Sequence, residues 1–131
     1  MAKFSDNKQN KGLQFHINLK PGDVGEYVLL PGDPARVKKF AQFVDKPQQL
    51  AYKREFLTYT GYYKVINVSC TSTGIGSPST AIAVEELANI GATTFIRIGS
   101  CLGLADDVYV RDLIIATGAM RNEGTTSFYA P

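Results

Sequence analysis

Apolar residues along this chain change spacing several times, and each change marks the edge of a structural element. Val65 to Thr71 is β-branched and apolar, the composition of a buried strand, and Ser72 to Gly76 breaks it with two glycines. Ser77 then predicts a helix N-cap, and Pro78 suits the first helical position, where its missing N–H is not needed. Val84, Leu87, Ala88 and Gly91 form a narrow apolar stripe, Glu85 and Glu86 mark the solvent side, and Gly91 ends the helix. Thr94 to Ile98 returns as a second strand, which a right-handed crossover would lay parallel to the first. The run from Val65 to Cys101 therefore reads as one strand, helix, strand unit.

The flanking segments follow similar rules. Glu26 to Leu30 predicts a short strand, after which Gly32 permits a tight turn, Asp33 a cap and Pro34 a helix start. Val37, Phe40, Ala41 and Val44 recur at helical spacing, so the helix is expected to run to about Val44 and to end at Asp45 to Pro47. Leu50, Tyr52, Arg54, Phe56 and Thr58 alternate, which predicts one half-exposed strand with Arg54 and Glu55 as outward charges on a sheet edge. Thr60 and Gly61 would turn it back toward Val65 as a hairpin. Ala105 to Asp112 reads as polar loop and Leu113 to Thr117 as another buried strand. The expected class is α/β, with a mixed, largely parallel sheet flanked by helices over residues 15–131, behind a polar, mobile N-terminus at 1–14. Five or six strands against two helices leave such a sheet short of cover, so part of the fold is missing or another chain supplies it.

Composition narrows the function classes. At 131 residues, 44% hydrophobic and 20% charged, the chain has the size of one globular domain. A net charge of +2 with no basic tract gives no footprint for nucleic acid or a membrane surface. No apolar leader is present and no stretch nears the roughly 20 apolar residues of a membrane span, so the expected location is cytoplasmic. Cys70 and Cys101 are then expected as free thiols, and a single histidine without paired cysteines argues against zinc.

Arg97 is the informative charge, a permanent cation in an otherwise apolar strand one step before the loop Gly99 to Gly103. Ligands sit at the carboxyl ends of strands in open α/β sheets, so it reads equally as an anion ligand or as half of a salt bridge. Gly32 and Arg36, at the start of a helix, would suit a phosphate, although a solvated surface arginine fits the local sequence better. His16, in the loop before Pro21, Gly22 and Asp23, is either a surface residue or one that reaches a ligand, in a neighbouring subunit for instance. Gly74 to Ser79 begins like a dinucleotide fingerprint but has Ser79 where a third glycine belongs, and it lacks a P-loop lysine. Neither Ser72 nor Ser77 has the surroundings of a nucleophile elbow.

The segments HINLKPGDV, VLLPGDPARV, REFLTYTG, TSTGIGSPSTAIAVEELANIGATTFIRIGSC and DLIIATGAMRNEGT, taken in order, resemble the N-terminal part of the hexameric nucleoside phosphorylase family, and within it the bacterial uridine phosphorylases. The likeness runs from about His16 to the last residue. It implies an α/β fold and a reaction in which inorganic phosphate, the co-substrate, cleaves a nucleoside to base and ribose 1-phosphate. It implies phosphate binding by Gly32, Arg36, Arg97 and Ser100, with Arg54 added from a neighbouring subunit, and ribose binding by His16, again from a neighbour. It further implies no organic cofactor, a potassium ion between subunits at Glu55, Ile75 and Ser79, and a homo-oligomer of dimer units, up to a hexamer. Two departures stand out. Leu102 occupies a loop position where the family has glycine, and Pro131 precedes the family's segments for the base and the ribose hydroxyls. The alternatives are a truncated, noncatalytic chain that folds, self-associates and binds phosphate, or a purine nucleoside phosphorylase, because GSC resembles the purine enzymes. A nucleosidase is disfavoured, since attack by water needs no such set of arginines.

Overall fold

The structure, a computed structural model, describes residues 12–131, and most of the segment expected to be mobile, residues 1–11, lies outside the described residues. In chain order the elements are β1 (Tyr27–Pro31), α1 (Pro34–Phe40), β2 (Asp45–Lys53), β3 (Phe56–Tyr63), β4 (Ile66–Thr71), α2 (Ser77–Asn89), β5 (Thr94–Ile98) and a short 3₁₀ turn at Thr126–Phe128. The five strands form one mixed sheet in the order β2-β3-β4-β1-β5. β4, β1 and β5 are parallel, and β2 and β3 are antiparallel. The two strands of the central unit are parallel, as expected, but they are not neighbours. β1 lies between them, with Leu29 beside Cys70 on one side and beside Ile96 on the other.

The alternating run from Leu50 to Thr58 is two strands, not one, and the chain reverses at Arg54 and Glu55, where Lys53 pairs with Phe56. A two-residue loop exchanges the faces of the sheet, so Tyr52 ends 58% exposed on one side while Phe56 is 1% exposed on the other. Arg54 and Glu55 are thus loop-tip residues rather than charges along an edge. Arg54 takes a left-handed φ of 57°, and Lys64 does the same in the next hairpin, where Tyr63 pairs with Ile66. Neither loop carries the glycine or asparagine that announces such a turn. Gly61 lies inside β3, pressed against Val44. The true outer edge is β2, which opens with Asp45, Lys46 and Pro47 and has two register irregularities.

α1 stops at Phe40, with Ala41 as its C-cap, and Asp45 to Pro47 begin a strand instead of ending a helix. Its N-cap is Asp33, whose carboxylate accepts the Ala35 N–H at 2.8 Å. Asp33→Ala is expected to lower the unfolding free energy by about 1 kcal/mol, read as a shift in urea midpoint at constant slope. In α2 the N-cap is Gly76, so Ser77 and Pro78 are the first two helical residues. The buried stripe is Ala83, Leu87 and Ile90, with Ala88 exposed, one residue away from the stripe expected.

Each face of the sheet has its own core. On one face α2 and the loop before β1 bury Ile17, Leu19, Val28, Leu30, Phe56 and Leu87. On the other, the seven-residue α1 covers only Val37, Leu57 and Cys70. Burial pushes the Cys70 thiol up to about 12, and Cys101 is exposed, both as free thiols. Beside α1 a groove of about 350 Å³ stays open, with exposed Tyr27, Phe43, Tyr63 and Ile96 on its walls. This matches the expected shortage of cover. The buried end of β4 carries the Ser69 and Thr71 hydroxyls on either side of Cys70, and these are paired internally, as in the 2.9 Å contact of Thr58 with Thr71.

Leu113 to Thr117 forms no strand, and Leu113 and Ile115 are more than 80% exposed. A β-branched run becomes a strand only where another strand pairs with it, and none is beside this segment among the described residues. β5 is consequently an edge, with Ile96 and Ile98 half exposed. No helix among the described residues is long and apolar enough to cross a membrane.

Candidate functional site

Parallel pairing of β4, β1 and β5 brings the loops that follow them to one end of the sheet, and the β2–β3 turn reaches the same end because β3 runs against β4. Such an end collects ligand-binding loops in open α/β sheets. Gly32, just after β1, fits between two neighbours. A Cβ there would lie 3.0 Å from the Gly74 carbonyl oxygen and 3.4 Å from Arg97 Nη2, so any larger residue would press on the Gly74 backbone and touch the guanidinium.

Arg97 is not buried in a sheet interior. It is exposed on the edge strand, and its Nη1 donates to the carbonyls of Leu30 at 2.9 Å and Ile98 at 2.5 Å. It is not in a salt bridge either, since the one contact of a basic side chain with a carboxylate at that range among the described residues joins His16 to Glu86, and that is an ion pair only when the imidazole is protonated. Nη2 makes no hydrogen bond among the described residues and sits beside Gly32. Arg36, in the first turn of α1, donates through Nη2 to the Ser100 hydroxyl at 3.2 Å. Gly32 thus touches Arg97 and Arg36 touches Ser100, two contacts that tie the segments after β1 and β5 together at one corner. Two guanidinium groups held only by neutral oxygens leave a local excess of positive charge there.

His16 and Arg54 belong to a second group. His16 Nδ1 lies 2.6 Å from Glu86 Oε1, and Glu86 Oε2 accepts the N–H groups of His16 at 3.0 Å and Ile17 at 2.9 Å. The Lys53 ammonium donates to the Phe15 carbonyl and sits 4.5 Å from the centre of the Phe15 ring, so the His16 loop is tied to the residue beside Arg54. No hydrogen bond among the described residues links His16 or Arg54 to the first corner. The β2–β3 turn is three to four strand spacings from β5, on the order of 14 to 19 Å. Glu86, read from sequence as a solvent-facing residue, is a partly buried side chain, 13% exposed. The signal was present, because Glu86 lies at helical spacing with Ala83 and Ile90, on the buried stripe.

Glu55, Ile75 and Ser79 gather around Gly74. A Cβ on Gly74 would be 3.2 Å from Glu55 Cγ and 3.3 Å from Ser79 Oγ, while Ser79 Oγ donates to the Thr73 carbonyl at 2.6 Å and the Ile75 side chain is fully exposed. A carboxylate, a hydroxyl and a nearby carbonyl are oxygen donors of the kind hard cations take. No group of three or more His, Cys, Asp or Glu suited to a metal exists among the described residues.

Beside Arg97 opens a cavity of about 650 Å³, lined by Leu30, Thr80, Val84, Phe95 and Tyr129 among others. Its size suits a small organic ligand. Sequence reading missed its far wall, where the Thr125 and Ser77 hydroxyls meet at 2.9 Å. Hydrogen bonds from the Thr126 hydroxyl and from the Thr125 and Thr126 amides hold the Glu123 carboxyl down at about 2. Leu102 is 87% exposed.

The sequence profile described as "Phosphorylase superfamily" matches residues 26–131. A uridine phosphorylase of Thermococcus kodakarensis is 56% identical over 119 residues, which are 91% of this chain and 43% of that protein. Among solved structures, the uridine phosphorylase of Vibrio fischeri superposes with a TM-score of 0.68 at 42% identity, over 70% of this chain and 38% of the other. The purine nucleoside phosphorylase of Toxoplasma gondii superposes with a TM-score of 0.65 at 43% identity, over 68% and 36% of the two chains. The chain thus spans less than half the length of the curated relatives it matches.

Proposed function

The chain belongs to the phosphorylase superfamily, and from that premise we propose that it supplies the phosphate-holding part of a uridine phosphorylase site. The observation that carries this reading is the double contact between the segments that follow β1 and β5, Arg97 against Gly32 and Arg36 on Ser100, with no carboxylate in a salt bridge to either guanidinium among the described residues. Inorganic phosphate is the anion that fits the reading. One of its oxygens attacks the anomeric carbon, the bond from that carbon to the base nitrogen breaks, the electron pair leaves with the base, and the base nitrogen takes up the proton that the hydrogen phosphate gives up. Uridine and phosphate become uracil and ribose 1-phosphate.

The protein's contribution to such a step is orientation. A weak anionic nucleophile must be aimed at a carbon that is becoming cationic, and forked guanidinium donors fix it without reacting. The cavity beside Arg97 would receive the nucleoside. His16 and Arg54 would serve the site of a second copy, contacting ribose and phosphate respectively, in keeping with their distance from the first corner. The assembly is then a homo-oligomer. Glu55, the Ile75 carbonyl and Ser79 would hold a potassium ion at the junction, where it would fix the position of the loop carrying Arg54.

A purine nucleoside is the second candidate substrate, supported by a likeness to a purine nucleoside phosphorylase structure close to that for the uridine enzyme. Uridine and inosine, each incubated with and without phosphate, separate the readings. Release of uracil only when phosphate is present is the expected result, and release of hypoxanthine instead would move the proposal to purines. Cleavage without phosphate would point to a nucleosidase. No cleavage of either substrate, with calorimetric phosphate binding retained, would reduce the chain to a phosphate-binding piece.

A further inference from the structure

We infer that Glu86 is a positioning residue that holds the His16 proton on Nδ1 and so leaves Nε2 as a hydrogen-bond acceptor aimed at a ribose hydroxyl. The ribose part of this inference rests on the function proposed above, whereas the proton assignment rests on geometry alone.

An ionised carboxylate only accepts hydrogen bonds. Glu86 takes the backbone N–H groups of His16 and Ile17, and its Oε1 is 2.6 Å from His16 Nδ1. A bare ring nitrogen at that distance would set lone pair against lone pair, so Nδ1 carries the hydrogen. The imidazole then has one nitrogen left, Nε2, and in the neutral ring that nitrogen has a lone pair to offer. A neutral histidine in water favours the opposite arrangement, with the proton on Nε2. Glu86 therefore reverses the intrinsic preference of the ring. The same carboxylate fixes the backbone of the loop, and the Phe15 ring stands edge-on to the imidazole at 5.0 Å between centroids. The imidazole is 34% exposed, so part of the ring is open to solvent.

Glutamine at position 86 separates the two duties of this side chain. Its amide oxygen at the Oε2 position can still accept the His16 and Ile17 N–H groups, so of the backbone hydrogen bonds only the 3.1 Å one from His16 N to Oε1 is lost, and its NH₂ group must face Nδ1 and donate to it. The ring proton is then driven to Nε2, and the acceptor becomes a donor. Alanine would remove both duties together and so would not distinguish them.

His16 is the sole histidine of the chain, so its ring signals need no assignment. We would record long-range ¹H–¹⁵N spectra of the 131-residue chain at alkaline pH, where a free imidazole is neutral. The wild type is expected to show a pyrrole-like Nδ1 and a pyridine-like Nε2, and Glu86→Gln is expected to exchange the two positions while the His16 and Ile17 amide signals remain dispersed. A proton on Nε2 in the wild type, or the same tautomer in both proteins, would overturn the inference. With turnover, Glu86→Gln should raise the nucleoside KM about tenfold and leave phosphate affinity unchanged. A KM that does not move, with the tautomer exchanged, would remove the ribose contact from the inference. The spectra need no substrate, so an absence of phosphorolysis would count against the proposed function alone.

Discussion

Arg97→Ala is expected to lower phosphorolysis kcat/KM by about 100-fold to 1000-fold and phosphate affinity by about tenfold to 100-fold. The guanidinium reaches its place by two hydrogen bonds to the carbonyls of Leu30 and Ile98, with Nη2 left beside Gly32. The removed bonds are to carbonyls and the residue is exposed, so unfolding should become easier by no more than about 1 kcal/mol. Loss of binding without loss of fold is the combination to look for, by calorimetric titration with phosphate beside a urea melt. Arg97→Lys keeps the charge but not the fork, and should fall between the two. Phosphate binding that is the same in Arg97→Ala and wild type would remove this corner as the anion site.

The second large effect concerns the fold. Gly25→Ala is expected to cost about 3 kcal/mol or more, a large share of a small domain's stability. A Cβ on Gly25 would sit 2.2 Å from the Asn67 carbonyl oxygen and 2.8 Å from its carbon, both backbone atoms that cannot step aside as a side chain would. Relief requires β1 to move away from β4, and the Gly25 N–H bond to the Ser69 hydroxyl, 3.0 Å, goes with it. That hydroxyl also meets Thr60 at 3.0 Å, so the disturbance spreads into β3. Gly118→Ala is the control, because nothing lies within 4 Å of its added methyl, and it should fall within about 0.5 kcal/mol of wild type. Equal melting of the two variants would refute the close-contact argument.

Much of the sheet could be read along the chain because its signals are local. The glycine and proline after Leu30, the breaks at Gly74 and Gly76, and the end of α2 before Gly91 each follow from what one residue permits its own backbone to do. The reversal at Arg54 was not legible, because an arginine at φ 57° contradicts its own preference and is held there by the pairing of the strands around it. The insertion of β1 between β4 and β5 is equally hidden, since it depends on contacts between residues far apart in sequence. At the candidate site the arginines were legible but their surroundings were not. Arg97 reads as buried from the apolar residues on either side, yet burial depends on a neighbouring strand, and β5 has one on a single side only. Glu86 was misread by a rotation of one position on its helix.

The sheet's two borders differ in a way that sets how far copies of the chain could stack. Lys46, Pro47 and two irregularities guard β2 against recruitment by another extended segment, whereas β5 offers Thr94 to Ile98 with the single charge of Arg97 near its end. Two copies zipped together through β5 would present only guarded borders outward. Growth by that route ends at a pair and does not run on into fibres.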